Sequence, residues 1–508
     1  MKIGIIGAGI AGLATAVRLA SKGHEVHVFE ANNYAGGKLS EFTLYANDSE
    51  ANLTPNEINE GSENSQRAYR FDAGPSLFTM PMYVEALFEE ANIPIKDYFS
   101  YDKIDVVCQY FWEDGTQLTA WADEQKLAQE IQNQLVIKPE VIEKALASAK
   151  RKYETAGRIF LEKSLHKVST WTTLPVAKAL LLMPGFDIFK TMNATHEHFT
   201  NNPKLIQFLN RFATYNGSNP YKASGMLSMI PHFEHGIGAF YPRGGMYEIT
   251  KSIYKLAQLK GVHFYFNQKI ESIKVENNAA KGLNTEGGYF DFDTIISNMD
   301  VYFTYKQLLP HEKHPEKTLN QERSTSALIF YWGIKKSFNH LHLHNIFFSN
   351  DYKNEFDYLA KGEVGDDPTV YVNISSKQTP SDAPEGCENW FVMVNVPHNS
   401  GQDWVEVIKR TRSNIIKKLS KILNVDLQSL IEVEDTLHPL SIESKTASFG
   451  GALYGTSSNS MMSAFLRHKN FSSDIKNLYF CGGSVHPGGG IPLCLLSAKI
   501  VSELIENR

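Results

Sequence analysis

Residues 2–7 (KIGIIG) make an uninterrupted apolar run, as a parallel strand buried on both faces requires. The following LATAVRLASKG repeats apolar residues at helical spacing and stops at Gly23, which predicts a helix with a glycine end. EVHVFE over 25–30 predicts a second strand. Residues 43–70 break the pattern: polar, acidic and rich in Asn and Ser, they read as a mobile loop or insertion. Helix and strand signals mix over 83–110, and helical periodicity dominates from about 123 to 210. YPRGGM at 241–246 introduces a further helix, followed by a strand over 262–266. Alternation predicts strands at 327–334, 345–349, 369–377 and 389–397, ahead of a last block over 435–508. There is no internal repeat.

This order predicts an α/β protein with a Rossmann-like nucleotide-binding domain assembled from three segments, 1–85, 225–300 and 435–508. The intervening 86–224 and 301–434 supply a mixed-sheet substrate domain with a helical part at about 123–210.

Composition narrows the field. The chain has 508 residues, 42% hydrophobic and 21% charged, as a folded protein does. Its net charge of −6 gives no reason to expect nucleic acid as a partner. Cys108, Cys387, Cys481 and Cys494 show no CxxC spacing, which argues against zinc and a disulfide framework and suits a reducing cytosol. No metal site is expected. The residues after Met1 already read as a strand, and no uncharged apolar run approaches ~18 residues, so a soluble or peripheral protein is expected.

The first strand runs into Gly7-Ala8-Gly9-Ile10-Ala11-Gly12 and then the helix. In such a turn Gly7 permits the bend, Gly9 lets a pyrophosphate approach, and Gly12 packs helix on strand. The free N–H groups of Ile10 and Ala11 at the helix start would hold the diphosphate. Glu30, followed by Ala31, ends the second strand where an acid would accept from ribose hydroxyls. Gly36-Gly37-Lys38 then resembles the second signature of the amine-oxidase-like flavoproteins, which implies FAD rather than NAD. No covalent attachment signature is present, so the FAD is expected to be noncovalent.

The stretch from Asn477 to Pro492 (NLYFCGGSVHPGGGIP) resembles the C-terminal signature of bacterial-type carotenoid desaturases. The block containing Gly74-Pro75-Ser76 agrees with that family, as do YPRGGM at 241–246, GALYG at 451–455, DPTVYVN at 367–373 and APEGCENW at 383–390. The resemblance runs the length of the chain and implies the amine-oxidase/GDI-like fold. It implies backbone contacts to FAD from Gly482 and Gly483, and a helix starting at Gly490-Ile491-Pro492 beside the flavin. Ile270 aligns with the position that meets the adenine, and residues 297–300 look like a second crossing of the nucleotide domain. Both are equally well read as core strand.

The implied activity is FAD-dependent dehydrogenation of a carotene C–C single bond. The whole-length pattern looks closest to 3,4-desaturation of a hydroxylated or monocyclic, γ-carotene-like carotenoid. Multi-step phytoene desaturase or carotenoid isomerase is the alternative; a flavin amine oxidase or a lipid-binding relative such as the Rab escort proteins fits less of the pattern. Hydride would pass to flavin N5 while a neighbouring carbon loses a proton. His486 is the candidate to take that proton, or a hydrogen-bonded structural histidine. Phe78 and Tyr331 read either as lining of a polyene tunnel or as core. The final acceptor, oxygen or quinone, stays open.

A carotene dissolves in a bilayer, so a membrane-facing surface is expected. Residues 138–204 hold eleven Lys and Arg against six Asp and Glu. Within them Trp171, Lys178, Leu180, Leu181, Phe186 and Lys190 fit an interfacial segment on anionic lipid, or a core helix with a basic solvated face. The implied location is cytoplasmic, peripheral on the inner face of the cytoplasmic membrane.

Overall fold

The apolar run at the N-terminus becomes the strand Lys2–Ile6, paired on both edges and so buried at the centre of a sheet. The computed structural model describes residues 1–46, 67–460 and 466–507. The sheet is five-stranded and wholly parallel, in the order His263–Tyr265, Glu25–Phe29, Lys2–Ile6, Thr294–Ser297, Leu478–Phe480. Helices Ile10–Ser21, Glu248–Leu259 and Ile491–Glu506 bury one face of it through Leu13, Val17, Ile253, Leu256, Leu495 and Val501. The antiparallel strands Ile270–Glu276, Ala279–Thr285 and Gly288–Asp291 pack Ile273 and Leu283 near Ile6, Phe29 and Ile295 on the other.

A second sheet has seven strands, in the order Ile431–Leu437, Ser326–Ile334, Glu388–Val396, Val370–Asn373, His344–Phe347, Val106–Phe111, Gln117–Trp121. It is mixed, because His344–Phe347 runs parallel to Val106–Phe111 while the other pairs are antiparallel. Side chains alternate across a strand. Leu328, Phe330 and Trp332 therefore pack under the helix Trp404–Leu423, whereas Ile329 and Tyr331 join Tyr69, Phe71 and Phe391 on the opposite face. That second face looks toward the nucleotide-type sheet. The helices Glu124–Leu135, Pro139–Lys152 and Pro203–Asn210 pack against the Val106–Phe111 end.

Three sequence expectations shift. The ends of the polar stretch 43–70 are not loop: Glu41–Ala46 and Arg67–Asp72 pair antiparallel, because Phe42, Leu44, Tyr69 and Phe71 alternate toward the second sheet's core. Residues 47–66 lie outside the described residues. The expected strand 369–377 ends at Asn373, and a short helical turn Ser375–Lys377 follows. A boundary at 435 would cut Ile431–Leu437, an edge strand of the larger sheet.

Candidate functional site

The first turn is shaped by close approach. A Cβ on Gly12 would stand 2.2 Å from the Gly7 carbonyl oxygen, so only glycine lets the helix start this near the strand. The helix's first internal bond runs from Leu13 N–H to Gly9 O at 2.9 Å. The N–H groups of Ile10, Ala11 and Gly12 precede that bond and are free to meet an anion, with no acidic residue in the first turn to compete. Glu30 is buried, and its carboxylate accepts from Ala8 N–H at 2.8 Å and Asn32 N–H at 2.9 Å. Gly36 N–H donates to Ala8 O at 2.8 Å, which brings Gly37 opposite Gly9.

Lys38 donates to the carbonyls of Leu453 at 3.1 Å and Ala452 at 3.3 Å. Burial pushes its pKa down, and the nearby Asp300 opposes the shift. Gly74 closes on the same turn, since a Cβ there would lie 2.1 Å from Lys38 O. Asp72 fixes this segment by accepting from Met246 N–H at 3.0 Å and Tyr247 N–H at 3.2 Å. Tyr331 adds a bond from its hydroxyl to Ala73 O at 2.7 Å.

These elements enclose one cavity of about 1910 Å³. One end is walled by Glu30, Ala31 and Ile270, and the middle by Gly7, Gly9, Ile10, Ala11, Gly36, Gly37 and Lys38. Gly482, Gly483, Gly490, Ile491 and Pro492 face them, with Gly74, Pro75 and Ser76 on a third side. Gly12 sits behind the wall. A site for a drug-sized ligand spans ~300–1,000 Å³. The cavity therefore has room for a dinucleotide and a long substrate together, and the unpaired helix N–H groups fit the diphosphate of FAD.

The structure also gives a part to one residue that the sequence marked only as a second crossing of the nucleotide domain, and to others that it did not mark. Asn298, at the end of Thr294–Ser297, places its amide against the glycine turn: Nδ2 lies 3.4 Å from Gly7 O, and added Cβ atoms on Gly9 or Gly482 would both strike it. Its signal was an amide closing an apolar strand. At the other end, beyond Tyr331, Phe391 and Met393, the cavity reaches Arg211, Glu234, His344 and Tyr371. Arg211 is the one charged residue in LIQFLNRFA over 205–213, which is all the sequence offers as a hint.

Other expected site residues lie elsewhere. Phe78 is buried in the first core, edge-on to Phe99 and Tyr101, and does not line the cavity. His486 is also off the cavity; its Nε2 pairs with Lys163 O at 2.8 Å, and burial pushes its pKa down to about 4. It is held as a neutral structural ring. Phe186 turns inward onto Ala156 and Ala179, because the short turn Met183–Phe186 folds the chain back. Trp171 is half-buried, with its indole N–H donating to Leu165 O at 2.9 Å. Leu181, Lys178 and Lys190 are exposed, and the side chain of Leu180 lies outside the described residues. Leu174, and Val168 and Phe189, which the sequence did not mark, are each at least 80% exposed. Among the described residues no helix is long and apolar enough to cross a membrane.

A family model described as flavin containing amine oxidoreductase matches residues 10–505. The chain is 49% identical over 507 residues to the 1-hydroxycarotenoid 3,4-desaturase of a Flavobacterium species, covering 99% of this chain and 98% of that one. It is 29% identical over 517 residues to the 4,4'-diapophytoene desaturase of Staphylococcus haemolyticus, at 99% and 98% coverage. Putrescine oxidase bound to putrescine superposes over 100% of both chains with a TM-score of 0.63 at 12% identity, which is a likeness of fold alone.

Proposed function

The chain belongs to the flavin containing amine oxidoreductase family, and from that premise we propose that it desaturates the 3,4 bond of a hydroxylated carotenoid. It is an FAD oxidoreductase acting on carbon–carbon bonds. One observation carries the choice of substrate: the full-length, 49% identity to a 1-hydroxycarotenoid 3,4-desaturase.

The residues assigned to FAD are Gly7, Gly9, Ile10, Ala11, Glu30, Gly36, Gly37 and Lys38 from the first segment. Gly74–Ser76, Ile270, Gly482, Gly483 and Gly490–Pro492 complete the set, with Asn298 added. When bound, FAD supplies the hydride acceptor. The chain's own part is to hold a hydrocarbon still and dry. Ile329, Tyr331, Phe391 and Met393 supply an apolar wall from the second sheet. Nothing on that wall needs to protonate the substrate, and His486 is not proposed as a base.

Substrate enters from a membrane. Val168, Leu174, Leu181 and Phe189 form the apolar surface that would sink into lipid, with Lys178 and Lys190 beside it for anionic headgroups. The protein would thus dock peripherally on the inner face of the cytoplasmic membrane.

The test is turnover. Purified holoprotein is mixed with liposomes holding a 1-hydroxycarotenoid, and products are read by absorption spectrum and mass. Loss of two hydrogens with a red-shifted spectrum supports the reading. Oxidation of a primary amine without change to any carotenoid would sink it.

A further inference from the structure

An apolar cavity should close on apolar residues, and this one does not. Arg211, Glu234 and His344 are all more than nine-tenths buried on its wall. Arg211 Nη2 donates to Glu234 Oε2 at 2.5 Å, and its guanidinium stacks 4.1 Å from the Phe212 ring centre. A buried ion pair is weak as a source of stability, because desolvation cancels much of the attraction. Its presence at the end of a hydrocarbon channel asks for another reason.

The histidine gives one. Asn373 Nδ2 donates to His344 Nδ1 at 3.2 Å, while the Tyr371 hydroxyl lies 2.8 Å from the same nitrogen. Burial, aided by the Arg211 charge, pushes the pKa of His344 down to about 3, so the ring is neutral. With Nδ1 accepting, the single ring hydrogen belongs on Nε2. That Nε2 has no partner among the described residues, and neither has the Tyr215 hydroxyl on the same wall. A buried donor left unpaired is costly, and a saturated or polyene hydrocarbon cannot pair it.

Resting on the carotenoid reading above, we propose that this cluster anchors the terminal hydroxyl of the substrate. His344 Nε2–H donates to the hydroxyl oxygen, and Glu234, steadied by Arg211, accepts its hydrogen. Tyr215 is the flanking hydroxyl. The anchor also selects the bond. Tyr371 links His344 to Ser76, whose Oγ lies 2.8 Å from the Tyr371 hydroxyl, so two hydrogen bonds separate the cluster from the segment that closes the glycine end. A hydroxyl held there keeps the near end of the chain, rather than its middle, beside the cofactor end.

The test uses intact holoprotein in detergent micelles, with a 1-hydroxycarotenoid and the hydrocarbon lacking only that hydroxyl. Binding is read from the spectrum of the bound flavin, and turnover is measured separately. The parent protein should bind the hydroxylated compound about tenfold more tightly, and His344→Leu should bring the ratio near one. Tyr215→Phe, which removes no internal hydrogen bond, should lower the ratio in the same direction and decides the matter if His344→Leu does not fold. A parent without preference, or folded variants that keep it, overturns the anchor. If both compounds are turned over equally, the anchor fails and the desaturase reading stands. If preference is seen but neither compound reacts, the desaturase reading fails and the anchor stands.

Discussion

The two ends of the cavity are made from different materials. At the nucleotide end the contacts come from backbone: a glycine turn, a helix start and a second glycine pair, with Glu30 and Asn298 bracing them. At the end proposed for substrate the lining comes from side chains on scattered elements, among them Arg211, Glu234, His344 and Tyr371. Backbone contacts depend on where the chain goes, and at Gly9, Gly12, Gly36, Gly74 and Gly482 there is no room for an added Cβ. Side-chain contacts depend on what each residue is and can be exchanged one at a time. The first end should therefore fail completely when altered, and the second by degrees.

The largest effect is expected from Gly12→Val. Its Cβ has no space before the Gly7 carbonyl, so helix and strand must part, and the protein should be recovered without the yellow of bound flavin. Full flavin occupancy in this variant would remove the contrast. At the other end, Arg211→Met leaves Glu234 buried without its partner and should cost about 3–5 kcal/mol in denaturant unfolding. Adding Glu234→Leu should return most of that loss, because an apolar pair of similar size has no charge to desolvate. If the double variant is no better than the single, the pair is rigid framework and not an exchangeable contact.

A third experiment asks where the side-chain region meets its surroundings. Replacing exposed Leu181 and Phe189 with Asp should weaken flotation with anionic liposomes by roughly 2 kcal/mol each, with the flavin spectrum unchanged. High salt should mimic only the contribution of Lys178 and Lys190. Equal flotation of variant and parent would move the docking face elsewhere.

The smallest effect is expected from His486→Asn. Turnover should change little, since the ring bonds to Lys163 O and lies off the cavity. Stability should respond to pH instead. The folded pKa of about 4 lies below the usual 6.5, so the unfolded chain binds more protons as pH falls through this window. Its contribution is present above pH 6.5 and lost toward pH 4, roughly 3 kcal/mol in all. The variant should flatten that part of the acid-unfolding curve; a lost acid limb in the rate profile would restore His486 to the chemistry as a base.

The same division explains what could be read in advance. The turn at Gly7, Gly9 and Gly12 and the strand end at Glu30 were legible because the proposed phosphate cradle, made of backbone, forces glycine and an acid to fixed spacings. The strands expected over 327–334 and 389–397, which run Ser326–Ile334 and Glu388–Val396, were legible because strand positions packed into a core must be apolar. Arg211, Glu234 and His344 were not, since they meet only after two separate helical turns and a sheet strand have packed, and no spacing along the chain records that meeting. Phe78 and Phe186 misled for a related reason: an aromatic residue gives the same signal whether it faces a channel, a membrane or a core.

The order of the parallel sheet sets a timetable. Of its five strands the central one, Lys2–Ile6, leaves the ribosome before the others and the edge strand, Leu478–Phe480, after them. Gly482 and the helix from Ile491 face the glycine turn only after that edge is paired. Hundreds of residues must be synthesised before the two halves of the cradle can meet. With the site as proposed, cofactor capture waits on the last strand of this sheet, and a chain ending before Leu478 should remain colourless however well its first half had folded.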